Sequence, residues 1–272
     1  MKKIAIIGSG ISGLYIANLL RQNSSYEIML YEKNNSINLE KGYGIQLSVN
    51  SIQLLNKIGF QSINLENKFH PDNLDFYSLK NKKKICDLDI SVFNTNEAKY
   101  TTLQRVTLID FLKKRLPDNL INYNKKVTQV NYETETIEVI FENNTSIKCD
   151  YLIISDGTFS KTKSLIAKKE INPKYFNSIA LRATIEKDHL KEINPKNISL
   201  SLGSNLHSVS YPINNSNQFN FVSIFRKKLT RKELSDYSLF ENEDFISSIL
   251  SEISKQIDLD IVKNLKDIRC FP

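Results

Sequence analysis

The sequence predicts an α/β fold in which a strand, a glycine-rich loop and a helix open the chain and an antiparallel β-sheet domain is inserted later. Three observations carry this. Residues 3–7 are a short β-branched run that stops at the glycines of Gly8-Ser9-Gly10-Ile11-Ser12-Gly13. A helical pattern with Ile11, Leu14, Ala17 and Leu20 near one face follows at once. From Tyr175 onward the pattern changes to runs of strand length separated by Asn/Ser-rich connections.

The opening elements form a dinucleotide-binding pattern. Gly8 permits a tight turn, Gly10 lets a pyrophosphate approach the backbone, and Gly13 lets the helix pack on the strand. The amides and positive dipole end of the helix then face the phosphates. Residues 26–31 read as a second strand, and Glu32 at its end is placed to accept hydrogen bonds from an adenosine ribose.

Downstream, Gly42-Tyr43-Gly44-Ile45-Gln46-Leu47-Ser48-Val49-Asn50 leads into a helix through Ile52, Leu55 and Ile58 that ends at Gly59. Residues 104–112, Gln-Arg-Val-Thr-Leu-Ile-Asp-Phe-Leu, form another helix, which Thr101 or Thr102 is expected to cap and Pro117 to stop. Arg105 falls in its first turn, where a cation opposes the helix dipole, so another job is expected of it. Residues 127–132, 136–141 and 145–148 alternate like strands, with Asn143-Asn144 as a tight turn. Residues 151–154 then read as a buried strand ending in Ser155-Asp156-Gly157, with Ser160 and Lys163 beyond.

Taken in this order, these motifs resemble the FAD-dependent aromatic-ring monooxygenases, particularly the salicylate-hydroxylase-like branch with the p-hydroxybenzoate-hydroxylase fold. The resemblance implies a Rossmann-type FAD/NAD(P)-binding domain (residues 1–65 and 99–172) and a substrate-binding β-sheet domain (66–98 and 173–272). It implies FAD contacts from Gly8, Ser9, Gly10, Ile11, Ser12, Gly13, Glu32, Lys33, Gly44, Ile45, Gln46, Arg105, Val127, Asp156 and Gly157. NAD(P)H is the implied co-substrate. Lys163 stands where the family has arginine, keeping the charge but losing the bidentate fork.

Runs over 178–185, 198–202, 206–213 and 219–225 read as antiparallel strands. A helix near 242–256 turns Phe245, Ile249, Leu250 and Ile253 toward a core. In the resembled family such a sheet forms the substrate pocket. His207 is the candidate catalytic base for a phenol proton; a surface histidine on a strand is the alternative. Arg182 is placed to hold a substrate carboxylate in a bidentate pair or to serve a structural ion pair, and Tyr211 and Pro212 follow in the family's order. The implied reaction is hydroxylation of a phenolic or benzoate-like ring with NAD(P)H and O2 through a flavin C4a-hydroperoxide. Other activities on the same scaffold are quinone-ring hydroxylation, halogenation and isoprenoid reduction, and an inactive FAD-binding remnant is the reading from a different class.

Composition bounds the rest. At 272 residues, 40% hydrophobic and 25% charged, the chain is long enough for one large domain or two modest ones, with a real core in either case. The net charge of +7 is spread along the chain apart from Lys80 and Lys82-Lys83-Lys84, and no basic stripe with interleaved aromatics points to nucleic acid. Cys86, Cys149 and Cys270 are widely spaced and lack metal-ligand spacing, so no metal is expected. No apolar stretch reaches the roughly 20 residues of a membrane span, and a protein of the reducing cytoplasm is expected. The family's later Gly-Asp motif has no counterpart, since no Gly-Asp pair occurs in the sequence. That leaves open a truncated or split gene, a separate C-terminal chain, or a homo-oligomer.

Overall fold

The computed structural model describes residues 1–272 except 38, 40–42, 133–134, 191–192 and 216. The chain divides into two compact units: residues 1–41, 57–59 and 106–174, and residues 42–56, 60–105 and 175–272.

The first unit is built on a parallel sheet in the order Tyr151–Ile154, Lys2–Ile7, Tyr26–Tyr31, Ile121–Asn122. The β-branched run of Lys2–Ile7 occupies the centre because a strand buried on both faces has to be apolar throughout, and Ile6 is fully buried. The helix Ile11–Leu20 buries Leu14 and Ala17. It also buries Asn18, whose Nδ2 donates to the carbonyls of Leu14 and Leu112, both at 2.9 Å. That bond ties the helix to Arg105–Lys114, which buries Leu108, Ile109 and Leu112. An antiparallel sheet of Ser146–Cys149, Ile137–Phe141 and Val127–Asn131 adds a core of Val127, Val130, Val139 and Phe141 shared with Ala5, Ile7 and Tyr31. Phe141 stacks on Tyr31 with ring centroids 5.1 Å apart.

One expectation for this unit is corrected. Tyr151–Ile154 is apolar, yet among the described residues it pairs only with Lys2–Ile7, at an edge of the sheet, and Tyr151 and Ile154 are 54% and 38% exposed.

The second unit contains a seven-stranded sheet in the order Lys266–Phe271, Ser178–Glu186, Gln218–Arg226, Leu206–Pro212, Ile198–Leu202, Asn73–Ser78, Lys84–Asp89. The sheet is mixed rather than purely antiparallel, because Ile198–Leu202 and Asn73–Ser78 pair in parallel. One face packs on the helix Glu243–Ser254: Ile179, Leu181, Ala183, Phe219 and Phe221 meet Phe245, Ile249 and Ile253, while Leu250 is only partly buried. Asn242 caps that helix by accepting from the Phe245 amide at 2.9 Å.

Against the opposite face lies a small sheet of Gly44–Leu47, Thr101–Gln104 and Lys68–Phe69. Thr101 and Thr102 are therefore strand residues and not helix caps, and the Thr102 hydroxyl donates to the Pro212 carbonyl. This sheet explains why residues 42–56, 60–65 and 99–105 cluster with the second unit, whereas the sequence reading put them in the cofactor domain. Their strands hydrogen-bond to each other and pack on Asn220 and Pro212. Two lysines of the run are held in ion pairs: Lys84 bridges Asp75 (2.9 Å) and Asp87 (2.7 Å), and Lys82 pairs with Asp258 (3.2 Å).

Candidate active site

In the first unit the glycine loop forms a cradle. Gly8 has φ +98°, and a Cβ there would lie 2.6 Å from the Ser155 carbonyl oxygen. A Cβ on Gly13 would come within 1.9 Å of the Gly8 carbonyl oxygen. At Gly10 a Cβ would meet nothing within 4 Å. The outer glycines thus close the loop onto Ser155 and Asp156, while the middle one faces open space. Gly10 is the N-cap of the helix, offers no side-chain cap, and no acid occupies the first turn. Those amides are left for an anion.

Glu32 is buried beside this loop. Its Oε2 accepts from the Ser9 amide (3.0 Å) and hydroxyl (2.7 Å), and its Oε1 accepts from the Asn34 amide (3.0 Å). Asp156 accepts from the Thr162 hydroxyl at 2.8 Å through Oδ2, while its Oδ1 is buried without a partner. Gly157 (φ +85°) leaves open space beside it. An orphaned buried acceptor, an open glycine and a fixed carboxylate match the needs of a dinucleotide with a pyrophosphate and sugar hydroxyls. The Lys163 ammonium donates to the Thr158 carbonyl at 3.0 Å. Of the other expected contacts, Ile11 is half-buried, Ser12 and Lys33 are exposed, and Val127 lies in the apolar core.

In the second unit, strand register gathers a different set. Arg182 pairs across the sheet with Arg269 on one side and Val222 on the other, and Tyr211 pairs with Asn220. Directly opposed residues share a face, and Gly44 packs onto it. A Cβ at Gly44 would lie 2.6 Å from both Asn220 Cβ and Ile213 Cγ2. The Gly44 amide donates to Asn220 Oδ1 at 2.7 Å. Asn220 is fully buried and its Nδ2 has no partner.

The Arg182 guanidinium sits over the Tyr43 ring, 5.9 Å from its centroid. The Arg105 amide donates to the Tyr43 carbonyl at 2.8 Å. Burial lowers the Arg105 pKa, and the like charge of Arg182 adds to it. Among the described residues, no carboxylate forms a salt bridge with Arg105, Arg182 or Arg269. Burial pushes the Tyr43 phenol up to about 12 against the pull of Arg269 and Arg182. Burial likewise raises Tyr211, opposed by Arg182 and Gln46. Gln46 accepts from the Tyr100 hydroxyl at 2.8 Å, Ile45 is half-buried and Pro212 is buried.

His207 shares the Arg182 face, level with Ile224 and Ala180, and its ring has no hydrogen-bond partner among the described residues. It stands two strands and two residues from Arg182, roughly 12 Å by ordinary sheet spacings. Three members of this set were not singled out by role in the sequence: Tyr43, Asn220 and Arg269. Tyr43 sits inside the quoted Gly-Tyr-Gly motif, and Asn220 inside the strand run 219–225. Arg269 carries no signal, because only the register of the last strand brings it beside Arg182. Gly42 lies outside the described residues.

Known proteins are similar to this chain over most of its length. Residues 6–39 match an NAD(P)-binding Rossmann-like domain. A salicylate hydroxylase of Pseudomonas putida is 23% identical over 197 residues, covering 70% of this chain and 44% of the relative. A 6-hydroxynicotinate 3-monooxygenase of Pseudomonas fluorescens is 27% identical over 191 residues, covering 70% and 49%. The structure of Klebsiella pneumoniae HpxO complexed with FAD and uric acid superposes with a TM-score of 0.83 at 17% identity, over 99% of this chain and 67% of that one. The chain spans about half the length of the curated relatives it matches. It is a homologue of the FAD-dependent aromatic-ring monooxygenases and shares their Rossmann-type fold.

Proposed function

We propose that this chain supplies the FAD-binding and ring-binding parts of a monooxygenase that hydroxylates an aromatic acid using NAD(P)H and O2. The observation that carries the reading is a group of arginines without described carboxylate partners: Arg182 and Arg269, which share a sheet face with Tyr211 and His207, and Arg105, close enough to Arg182 to feel its charge. A half-buried cation without a counter-ion is costly, and the carboxylate of a benzoate-like ring would supply one through a bidentate pair.

In this reading Gly10 and the following helix amides hold the cofactor's pyrophosphate, Glu32 its ribose diol, and Asp156 Oδ1 a further hydroxyl. Bound FAD would supply the redox chemistry between NAD(P)H, O2 and the ring. Arg182 orients the substrate by its acid group, and Tyr211 and Tyr43, both neutral at working pH, pack beside the ring. His207 accepts the phenol proton at a ring nitrogen, which raises the electron density of the ring. Residence in a reducing cytoplasm is supported by three free thiols, Cys86, Cys149 and Cys270. No helix among the described residues is long and apolar enough to cross a membrane.

The test is NAD(P)H oxidation by the FAD-loaded chain across hydroxybenzoates, hydroxynicotinates and their neutral amides, with products identified by mass. Hydroxylation of acids but not of amides supports the reading. A chain that takes up FAD yet discriminates neither class has no acid-selective ring site. A folded chain that retains no flavin absorbance loses the cofactor assignment itself.

A further inference from the structure

The helix-covered face of the seven-stranded sheet holds a cavity of about 320 Å³, all of it within the second unit. Its floor is unlike the rest of that face. Where the sheet otherwise presents Leu181, Ala183 and Phe219 to the core, Ile198–Leu202, Leu206–Pro212 and Gln218–Arg226 present serines. Ser199 opposes Ser210, Ser201 opposes Ser208, and Ser208 opposes Ser223. The Ser199 and Ser223 hydroxyls are buried without a partner. Ser201, Ser208 and Ser210 line the cavity, and among the described residues their hydroxyls make no hydrogen bond.

A buried sheet face gains nothing from unpaired hydroxyls, since each gives up its water without replacement. Ser201, Ser208 and Ser210, the three of these that line the cavity, are therefore explained by something that hydrogen-bonds to them. The side walls are mainly apolar, formed by Leu79, Leu190, Ile193, Ile257, Ile261 and the Phe221 ring, with Tyr77, Ser78 and Gln256 adding polar groups. At the rim Lys82 is paired with Asp258 at 3.2 Å and the His189 ring lies 3.8 Å from Asp260, so no cation awaits an anionic ligand. The volume is at the lower end of the roughly 300–1,000 Å³ of small-molecule pockets, which leaves room for one ring.

The geometry points to a second ligand site in this cavity, for an uncharged single-ring phenol whose hydroxyls bond to Ser201, Ser208 and Ser210 while its ring packs on the aliphatic walls. This site is separate from the arginine-bearing face and does not depend on the activity proposed for that face. Its selectivity is the reverse: neutral rings are taken and ring carboxylates refused.

Equilibrium binding of resorcinol to the full chain, followed by ligand-observed NMR, tests this. Saturable binding is expected. It should weaken on the order of tenfold in a Ser208→Ala/Ser210→Ala double variant, for two lost hydrogen bonds, and vanish in Ser208→Leu, which fills the floor. Arg182→Ala on the opposite face should leave it unchanged, and benzoate should not displace it. The double alanine variant removes no apolar contact, so it remains informative if Ser208→Leu does not fold. Absence of saturable binding overturns the assignment. So does binding that survives the double variant undiminished, that is lost in Arg182→Ala, or that myo-inositol matches without an aromatic ring.

Discussion

The two faces of the seven-stranded sheet solve opposite problems with one backbone. On Leu206–Pro212, side chains alternate between them: His207, Val209 and Tyr211 go to one face, Ser208 and Ser210 to the other. The first face gathers arginines and raised-pKa tyrosines around the closely packed Gly44, leaving positive charge without a described counter-ion. The second sets neutral hydroxyls among mainly aliphatic walls and pairs its rim lysine, Lys82, with Asp258. A strand's two-residue period lets a single segment serve both, so a substitution at one position should be felt on one face only.

That separation can be attacked most strongly at Gly44. Gly44→Val would push methyl groups into Asn220, Ile213 and Tyr211, and should destabilise the chain by about 3 kcal/mol in urea unfolding. A Gly44→Val protein of unchanged midpoint would mean that the small sheet is not held against this face. Next, Arg182→Ala should weaken binding of a hydroxybenzoate on the order of 10–100-fold, for one lost charge-assisted contact, with only partial recovery in Arg182→Lys because the fork is gone. Calorimetry on both variants reads this directly, and equal affinities would remove the arginine from the acid site.

A smaller effect, of opposite sign on the two faces, follows from buried polar atoms. Asn220→Ala strips the Gly44 amide of its acceptor and should cost about 1–3 kcal/mol. Ser223→Ala removes a hydroxyl that has no partner and should leave stability equal or raise it by up to about 1 kcal/mol. If both variants destabilise alike, the serine face is held by bonds that involve Ser223.

The smallest effect at neutral pH comes from Tyr43. Its folded-state pKa of about 12 lies above the ordinary tyrosine value near 10. Stability from the neutral phenol is thus fully present below about pH 10 and is lost as pH rises toward 12. Tyr43→Phe should flatten that part of the pH–stability curve, and an unchanged slope would assign the loss to other groups.

Much of the first unit was legible because its chemistry is local. Gly8, Gly10 and Gly13 are fixed by steric needs within a few residues, and Glu32 follows from the end of the next strand. The second unit was legible as strands but not as faces. Alternation in residues 206–213 shows that His207 and Tyr211 share a side. It does not show which side a helix will cover, nor that Arg269 will register with Arg182. The same limit explains Tyr151–Ile154, whose apolar residues signal a strand while its place at a sheet edge depends on what pairs with it. Thr101 and Thr102 were misread for a related reason: a threonine before a helical pattern looks like a cap until a long-range strand partner claims it.

The parallel pairing of Asn73–Ser78 with Ile198–Leu202 bears on how the chain matures. Leu74 must wait for Ile198 to be synthesised before its strand has that neighbour, a delay on the order of ten seconds at ordinary translation rates. During that interval the Asn73–Ser78 edge of its hairpin with Lys84–Asp89 stands without its partner. Refolding should therefore be slow, as expected where distant segments must meet first. The nascent chain is most exposed to edge-to-edge aggregation while that hairpin stands alone.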